Sequence, residues 1–164
     1  MTVDLKVKHV PSYNVASLMR IGPYKPEILK EEFNGLTKWA RKNHLNTGKW
    51  ILYFLDEGGR RPENKRRWEA CLEIKNGEKT IANLKTNGTK IKIKKIPKVS
   101  VVSVKFNPEK VSARLVYHGV YGWLDENEEG YKSAGKAREI YLGNPWKDSW
   151  AWARAEVQVP IRKK

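Results

Sequence analysis

The residues with the clearest chemical potential lie near the end of the chain, where one carboxylate stands among aromatic side chains. Glu156 belongs to a strand-like segment, Tyr141 belongs to the preceding one, and Trp146 and Trp152 lie in the connection between them. Ring faces and a negative charge both attract flat or cationic molecules. We therefore expect Glu156, Tyr141, Trp146 and Trp152 to bind a small-molecule ligand that is apolar, flat or cationic.

The same carboxylate and tyrosine allow a catalytic alternative. A buried glutamate whose pKa is raised can act as a general acid or base near neutral pH, with a tyrosine as proton donor. If the chain were a hydrolase, Glu156 and Tyr141 would be its catalytic residues. The sequence contains no nucleophile, oxyanion or metal-ligand motif, and Cys71 has no evident histidine partner. We expect no metal and no other cofactor.

The segment around Glu156 has the period of a half-buried strand. Ala155, Val157 and Val159 alternate with Glu156 and Gln158, and side chains two apart share a face of a strand. The small apolar face is suited to packing under a helix. The opposite face then carries Glu156 toward a ligand.

An internal repeat supplies the elements that must position these residues. Residues 8–23 resemble residues 94–108, each with a proline, a β-branched run and a second proline. Helical periodicity follows both copies, over about 25–42 and about 108–127, with Asn107 as the expected cap of the second helix. Two further strands close each half, and those of the first half are predicted over 49–55 and 67–75.

Matching the two copies predicts a second set of ligand-facing residues. Glu69 aligns with Glu156, and Tyr53 aligns with Tyr141. We expect an α+β fold in which two pseudo-symmetric βαββ units form a mainly antiparallel sheet. The helices would cover one side, and a ligand groove containing Glu69, Tyr53, Glu156 and Tyr141 would lie on the other. The halves would be residues 1–76 and 89–164, joined by a linker over 77–88 within a single domain spanning 1–164.

Composition limits the partners. The chain has 164 residues, a net charge of +15 and one cysteine. The sequence shows no signal peptide and no membrane-length apolar run, so we expect a cytoplasmic protein with no membrane contact. The positive charge permits weak, non-specific binding to nucleic acid at most. Nothing in the sequence indicates an oligomeric state.

Several short motifs occur in the order and spacing of a known family. They are Gly22-Pro23-Tyr24 after the first long strand, RWEAC at 67–71, REIYL at 138–142 and EVQVPI at 156–161. On these residues the chain resembles the GyrI-like family, also described as the AraC-type effector-binding domain. The resemblance implies two βαββ units around a ligand cleft, with the cleft glutamate at Glu156 and a cleft tyrosine at Tyr141.

The resemblance also implies a choice of functions. Family members include effector sensors of transcription regulators, a gyrase-inhibiting protein and proposed hydrolases of reactive small molecules. We expect this chain to be a stand-alone small-molecule-binding protein. The alternatives are a hydrolase that uses Glu156 and Tyr141 as acid and base, and a protein that contacts nucleic acid or gyrase through its basic surfaces.

Overall fold

The computed structural model describes residues 4–56, 61–86, 88–126, 130–144 and 154–164. These residues contain nine strands and three α-helices. In chain order they are β1 (Leu5–Val10), β2 (Tyr13–Ile21), α1 (Pro26–Lys42), β3 (Thr47–Phe54), β4 (Arg67–Ile74), α2 (Glu78–Ala82), β5 (Lys92–Ile96), β6 (Val99–Phe106), α3 (Ala113–Glu126), β7 (Tyr131–Ser133), β8 (Arg138–Tyr141) and β9 (Ala155–Lys163). Among them, no helix is both long and apolar enough to span a bilayer.

The chain forms two compact units. The first, called here the Glu156 unit, contains the chain up to Pro11 together with Lys98–Lys164. Its strands lie in the order β1-β6-β9-β8, and β7 also pairs with β9. Every described pair in this unit is antiparallel.

The second unit, called here the Glu69 unit, contains Ser12–Pro97. Its strands lie in the order β3-β4-β2-β5, and these pairs are antiparallel as well. The predicted α+β class with mainly antiparallel pairing is therefore confirmed.

The two units exchange their first strands with respect to the sequence repeat. β1 precedes β2 in the chain but pairs with β6, whereas β5 precedes β6 but pairs with β2. Each unit therefore combines a lead-in strand from one copy of the repeat with the strand-helix-strand-strand core of the other. A side chain on β1 can consequently reach β9, and one on β5 can reach β4.

Each long helix packs on one face of its own sheet. In the Glu69 unit, the ring of Phe33 on α1 lies 4.8 Å from that of Trp50 on β3. Trp68, Ala70 and Leu72, on the same face as Trp50, are almost fully buried, as the alternation predicts. Burying such side chains contributes roughly 1.5–3 kcal/mol each.

The helix of the Glu156 unit covers the small apolar face predicted for β9. Tyr117 on α3 donates a hydrogen bond to Glu139 on β8, and Glu139 is paired with Val157. Val157 and its neighbours Ala155 and Val159 are completely buried. In both units, the opposite face of the sheet is called here the helix-free face.

The second long helix begins later than the sequence predicts. The oxygen of the Asn107 side chain accepts a hydrogen bond from the Glu109 amide at 2.9 Å, which closes a turn typical of asparagine. α3 begins five residues further on, where the Ser112 hydroxyl accepts a hydrogen bond from the Leu115 amide. The predicted start at 108 was wrong because the Asn-Pro pair forms a turn here instead of a helix cap.

Candidate functional site

Glu156 lies on the helix-free face of β9 and is tightly held. Lys8 on β1 approaches its Oε2 to 2.6 Å. Ser103 on β6 donates to the same oxygen at 2.8 Å, and Gln158 on β9 donates at 2.6 Å. Among the described residues, none donates a hydrogen bond to the other oxygen, Oε1.

These donors determine the charge state of Glu156. Burial alone would raise the pKa of the carboxyl, but the hydrogen bonds from Gln158, Lys8 and Ser103 and the charge of Lys8 outweigh burial. The net result is a pKa below the usual value. Glu156 is therefore ionised at neutral pH, so it lacks the raised pKa that the hydrolase alternative required.

Lys8 is one of several site residues that the sequence did not predict. It is 40% exposed along its side chain, whereas Glu156 is 11% exposed. The signal was present in the repeat, because both copies begin with a lysine, Lys8 in the first and Lys94 in the second. The strand exchange, which the sequence pattern does not predict, is what brings Lys8 to Glu156.

Tyr141 does not share the face of Glu156. The β8–β9 register pairs Ile140 with Glu156, so Tyr141 lies on the opposite face of the sheet. Its hydroxyl donates to Glu139 at 2.8 Å. Within the Glu156 unit, the expected pairing of Glu156 with Tyr141 in one site is therefore not formed.

Glu139 forms a second polar cluster, beneath α3. It is 8% exposed, and it accepts hydrogen bonds from the hydroxyls of Tyr117, at 3.2 Å, and Tyr141. Burial raises the pKa of Glu139 despite these bonds. Burial and the adjacent carboxylate also raise the pKa of both tyrosines. Simple alternation within REIYL would have placed Glu139 and Tyr141 on one face.

The Glu69 unit repeats the Glu156 arrangement. Lys94 on β5 forms an ion pair with Glu69 on β4, and Tyr53 is directly opposite Glu69 in the β3–β4 register. Cys71 contributes a long 3.9 Å contact from its Sγ to the carboxylate. Lys94 also lies 5.9 Å from the centre of the Tyr53 ring. Tyr53 and Glu69 thus lie side by side on adjacent strands. By register, the counterpart of Tyr53 in the Glu156 unit is Ile140, not Tyr141.

An open pocket of about 410 Å³ lies beside Glu156. Its apolar lining comes from Phe106, Ile140 and Leu142. Among the described residues, Lys105, Asn107, Arg154 and Glu156 also line the pocket. Predicted ligand residues Trp146 and Trp152 lie outside the described residues. Within the described part of the chain, no group of three or more His, Cys, Asp or Glu side chains could hold a metal ion.

Comparison with known structures shows the same fold in several proteins. The EcmrR C-terminal domain is 19% identical, with a TM-score of 0.73 and 100% of each chain covered. In the EcmrR–DNA complex, identity is 20% and the TM-score is 0.76. There, 98% of this chain matches 58% of the EcmrR chain, so this chain spans little more than half of that protein.

Two further structures extend the comparison. A hydrolase from Listeria innocua is 14% identical with a TM-score of 0.67, and the match covers 96% of this chain and 91% of that one. SAV2435 bound to tetraphenylphosphonium is 8% identical with a TM-score of 0.51, over 97% and 94% of the two chains. At these identities the likeness concerns the fold.

The sequence itself provides the family assignment. No protein of curated function is similar enough in sequence to match. The family described as a GyrI-like small molecule binding domain, however, matches residues 4–162, nearly the full length. Because this match spans nearly the whole sequence and the fold agrees with it, the chain belongs to the GyrI-like small-molecule-binding domain family.

Proposed function

We propose that the chain binds a flat, largely apolar small molecule in the pocket beside Glu156. The observation that carries this proposal is the combination, in one pocket, of an apolar wall with a carboxylate that has one oxygen free of described donors. Ligand sites in proteins are typically apolar concavities with a few polar groups that fix orientation. The family assignment supports the same conclusion.

The wall of the pocket favours ring-shaped ligands. Phe106 contributes an aromatic side chain, and Ile140 and Leu142 contribute aliphatic ones. Leu142 is 54% exposed, so a ligand that covered it would remove apolar surface from water. Such burial contributes about 25 cal/mol for each Å².

Glu156 would orient the ligand through a hydrogen bond. Its Oε2 already accepts bonds from Lys8, Ser103 and Gln158. Oε1 remains able to accept an N–H or O–H from a ligand, and a bond to an ionised acceptor is stronger than one between neutral groups. A ligand with one donor at its edge fits this arrangement.

The other predicted contacts remain proposals. Tyr53 and Glu69 would contribute a second ligand-facing pair in the Glu69 unit, since they are adjacent in register. Tyr141 would act indirectly, through Glu139, because its hydroxyl donates to that buried carboxyl. Trp146 and Trp152 stay expected ligand contacts on sequence grounds alone.

Titration with N-phenyl-1-naphthylamine, a neutral dye with one N–H donor, tests the proposal through dye fluorescence. Leu142→Ala should weaken binding about fivefold, because roughly 1 kcal/mol of apolar contact is lost. Leu115→Ala is the matched control, since Leu115 is 59% exposed but lies on α3 and does not line the pocket. Equal affinities for the two variants, or no binding by the wild type, would reject the pocket as the ligand site.

A further inference from the structure

We propose that the pocket beside Glu156 selects flat molecules that carry an anionic group, a carboxylate or sulfonate, and discriminates against cations. The proposal rests on the proposed function and names its ligand class. It follows from three observations. The carboxylate of Glu156 is already paired with Lys8, two cations line the same pocket, and the corresponding site at Glu69 has no equivalent of Lys105.

Lys8 is a built-in cation at the carboxylate. Its Nζ lies 2.6 Å from Oε2 of Glu156. This is close to the position where the positive group of a cationic ligand would be attracted most strongly by the carboxylate. Such a ligand must either displace the lysine or approach it against repulsion between like charges. The negative charge of Glu156 is thus largely cancelled for any incoming molecule.

Two further cations line the same pocket. Lys105 is on β6 directly opposite Glu156 in the register, and Arg154 immediately precedes β9; both contribute to the wall. Neither forms an ion pair with a described residue. With Lys8 balancing Glu156, these two side chains give the described part of the pocket wall a net positive charge.

The Glu69 unit contains the same Lys–Glu pair but no cation at the position that corresponds to Lys105. Glu69 is paired with Lys94 just as Glu156 is paired with Lys8. The residue opposite Glu69, however, is Met19, whereas the residue opposite Glu156 is Lys105. The two copies therefore share the neutralised carboxylate, and only the Glu156 copy adds a cation beside it.

The net charge of the protein also favours anionic ligands over cationic ones. The net charge is +15, so an anion is attracted and a cation repelled before contact. Salt screens that distant contribution over about 8–10 Å at physiological ionic strength. Contacts with Lys105 or Arg154 inside the pocket are screened less, which allows the local contribution to be separated by experiment.

Three dyes on one ring system test the inference by fluorescence titration at 150 mM salt. N-phenyl-1-naphthylamine is neutral, 8-anilinonaphthalene-1-sulfonate adds an anion, and a third analogue carries a trimethylammonium group instead. The wild type should bind the anionic dye roughly tenfold more tightly than the neutral one, as expected of a charge-assisted contact. The cationic dye should bind more weakly than the neutral one.

Three variants locate the effect. Lys105→Met gives the Glu156 copy the residue found in the Glu69 copy and should lower anionic affinity roughly five- to tenfold, a larger fractional loss than it causes in neutral affinity. Lys92→Met removes an equal charge from an exposed position on β5 in the other unit and should change neither. Lys8→Met should raise cationic affinity roughly tenfold, because Glu156 then loses its partner.

The outcomes separate the two proposals. A neutral dye that fails to bind would reject the pocket itself and therefore the proposed function. A neutral dye that binds, together with a wild type preferring the cationic over the anionic dye, would overturn only the selection for anions. Equal effects of Lys105→Met and Lys92→Met would also overturn it, because the overall charge and not the pocket would then be responsible.

Discussion

At the level of single residues, two carboxylates of the Glu156 unit are driven in opposite directions by their surroundings. Glu156 accepts hydrogen bonds from the amide of Gln158, the ammonium group of Lys8 and the hydroxyl of Ser103, and its pKa lies below the usual value. Glu139 accepts hydrogen bonds from two neutral hydroxyls among the described residues, and burial raises its pKa. At Glu156 the hydrogen bonds from Gln158, Lys8 and Ser103, together with the charge of Lys8, outweigh desolvation, whereas at Glu139 desolvation outweighs the two hydroxyl bonds.

Glu156→Gln should destabilise the protein at neutral pH by on the order of 1–2 kcal/mol, because charge-assisted bonds from three side chains are lost. A lowered folded-state pKa means that this stabilisation is fully present above the unfolded pKa of about 4.3. It is lost as the pH falls through the still lower folded pKa. Urea unfolding of both proteins at pH 7 and pH 3 measures the difference.

The exposed Glu109→Gln serves as the control for that substitution, since Glu109 lies in the turn before α3 and contributes no side-chain contact that the described residues record. This substitution at an exposed position should change the free energy of unfolding by less than about 0.5 kcal/mol. An unchanged gap between Glu156→Gln and wild type at pH 3 would contradict the assignment of the stabilisation to the ionised carboxylate.

Glu139→Gln should have the reverse pH dependence. Because the folded pKa is raised, the contribution of Glu139 is most favourable below the unfolded pKa of about 4.3 and is lost as pH rises through the folded value. The wild type should therefore lose stability relative to Glu139→Gln, by up to about 1.4 kcal/mol per pH unit, as pH increases from about 4.3 toward the raised folded-state pKa. Parallel stability profiles for the two proteins would show that the buried carboxyl does not titrate in this range.

At the level of secondary structure, the sequence predicts the elements well but not their register. The helix expected over 25–42 is found as α1, Pro26–Lys42, because proline and an apolar stripe are strong local signals. The sequence alignment that matched Tyr53 with Tyr141 is shifted by one residue relative to the strand register. Tyr53 is paired with Glu69, whereas Ile140 is paired with Glu156. A shift of one residue exchanges the two faces of a strand, and no local signal fixes it here.

Two glycines provide a matched test of backbone geometry. Gly22, just after β2, has φ of +141°, and Gly35 lies within α1; no atom stands within 4 Å of an added Cβ at either. Gly22→Ala should cost roughly 1–3 kcal/mol, because only glycine adopts such a conformation readily. Gly35→Ala should instead stabilise by about 1 kcal/mol through helix propensity.

Thermal unfolding of the two glycine variants should therefore shift in opposite directions. Gly22 is additionally constrained because its carbonyl accepts a hydrogen bond from the indole of the fully buried Trp68 at 3.2 Å. A Gly22→Ala variant as stable as the wild type would mean that the backbone relaxes there without losing this bond.

At the level of the whole molecule, the duplication was visible in the sequence but the strand exchange was not. Local patterns can mark a segment as a strand, yet they carry no information about which partner that strand selects. Pairing β1 with β6 and β5 with β2 is a long-range choice. It is also what creates both Lys–Glu pairs, so the site could be predicted only as far as its glutamates.

The net charge of +15 leads to the last prediction, on nucleic acid. We expect weak, sequence-independent binding to duplex DNA at 20 mM salt that is negligible at 150 mM. A contact with about six phosphates loses roughly a thousandfold in affinity between 50 and 200 mM salt, because bound counterions are released.

Fluorescence anisotropy with two unrelated duplexes across this range measures both the salt dependence and the sequence preference of binding. Binding that survives 150 mM salt, or that distinguishes the duplexes, would require a dedicated interface, whereas charge spread over many exposed lysines supplies only attraction.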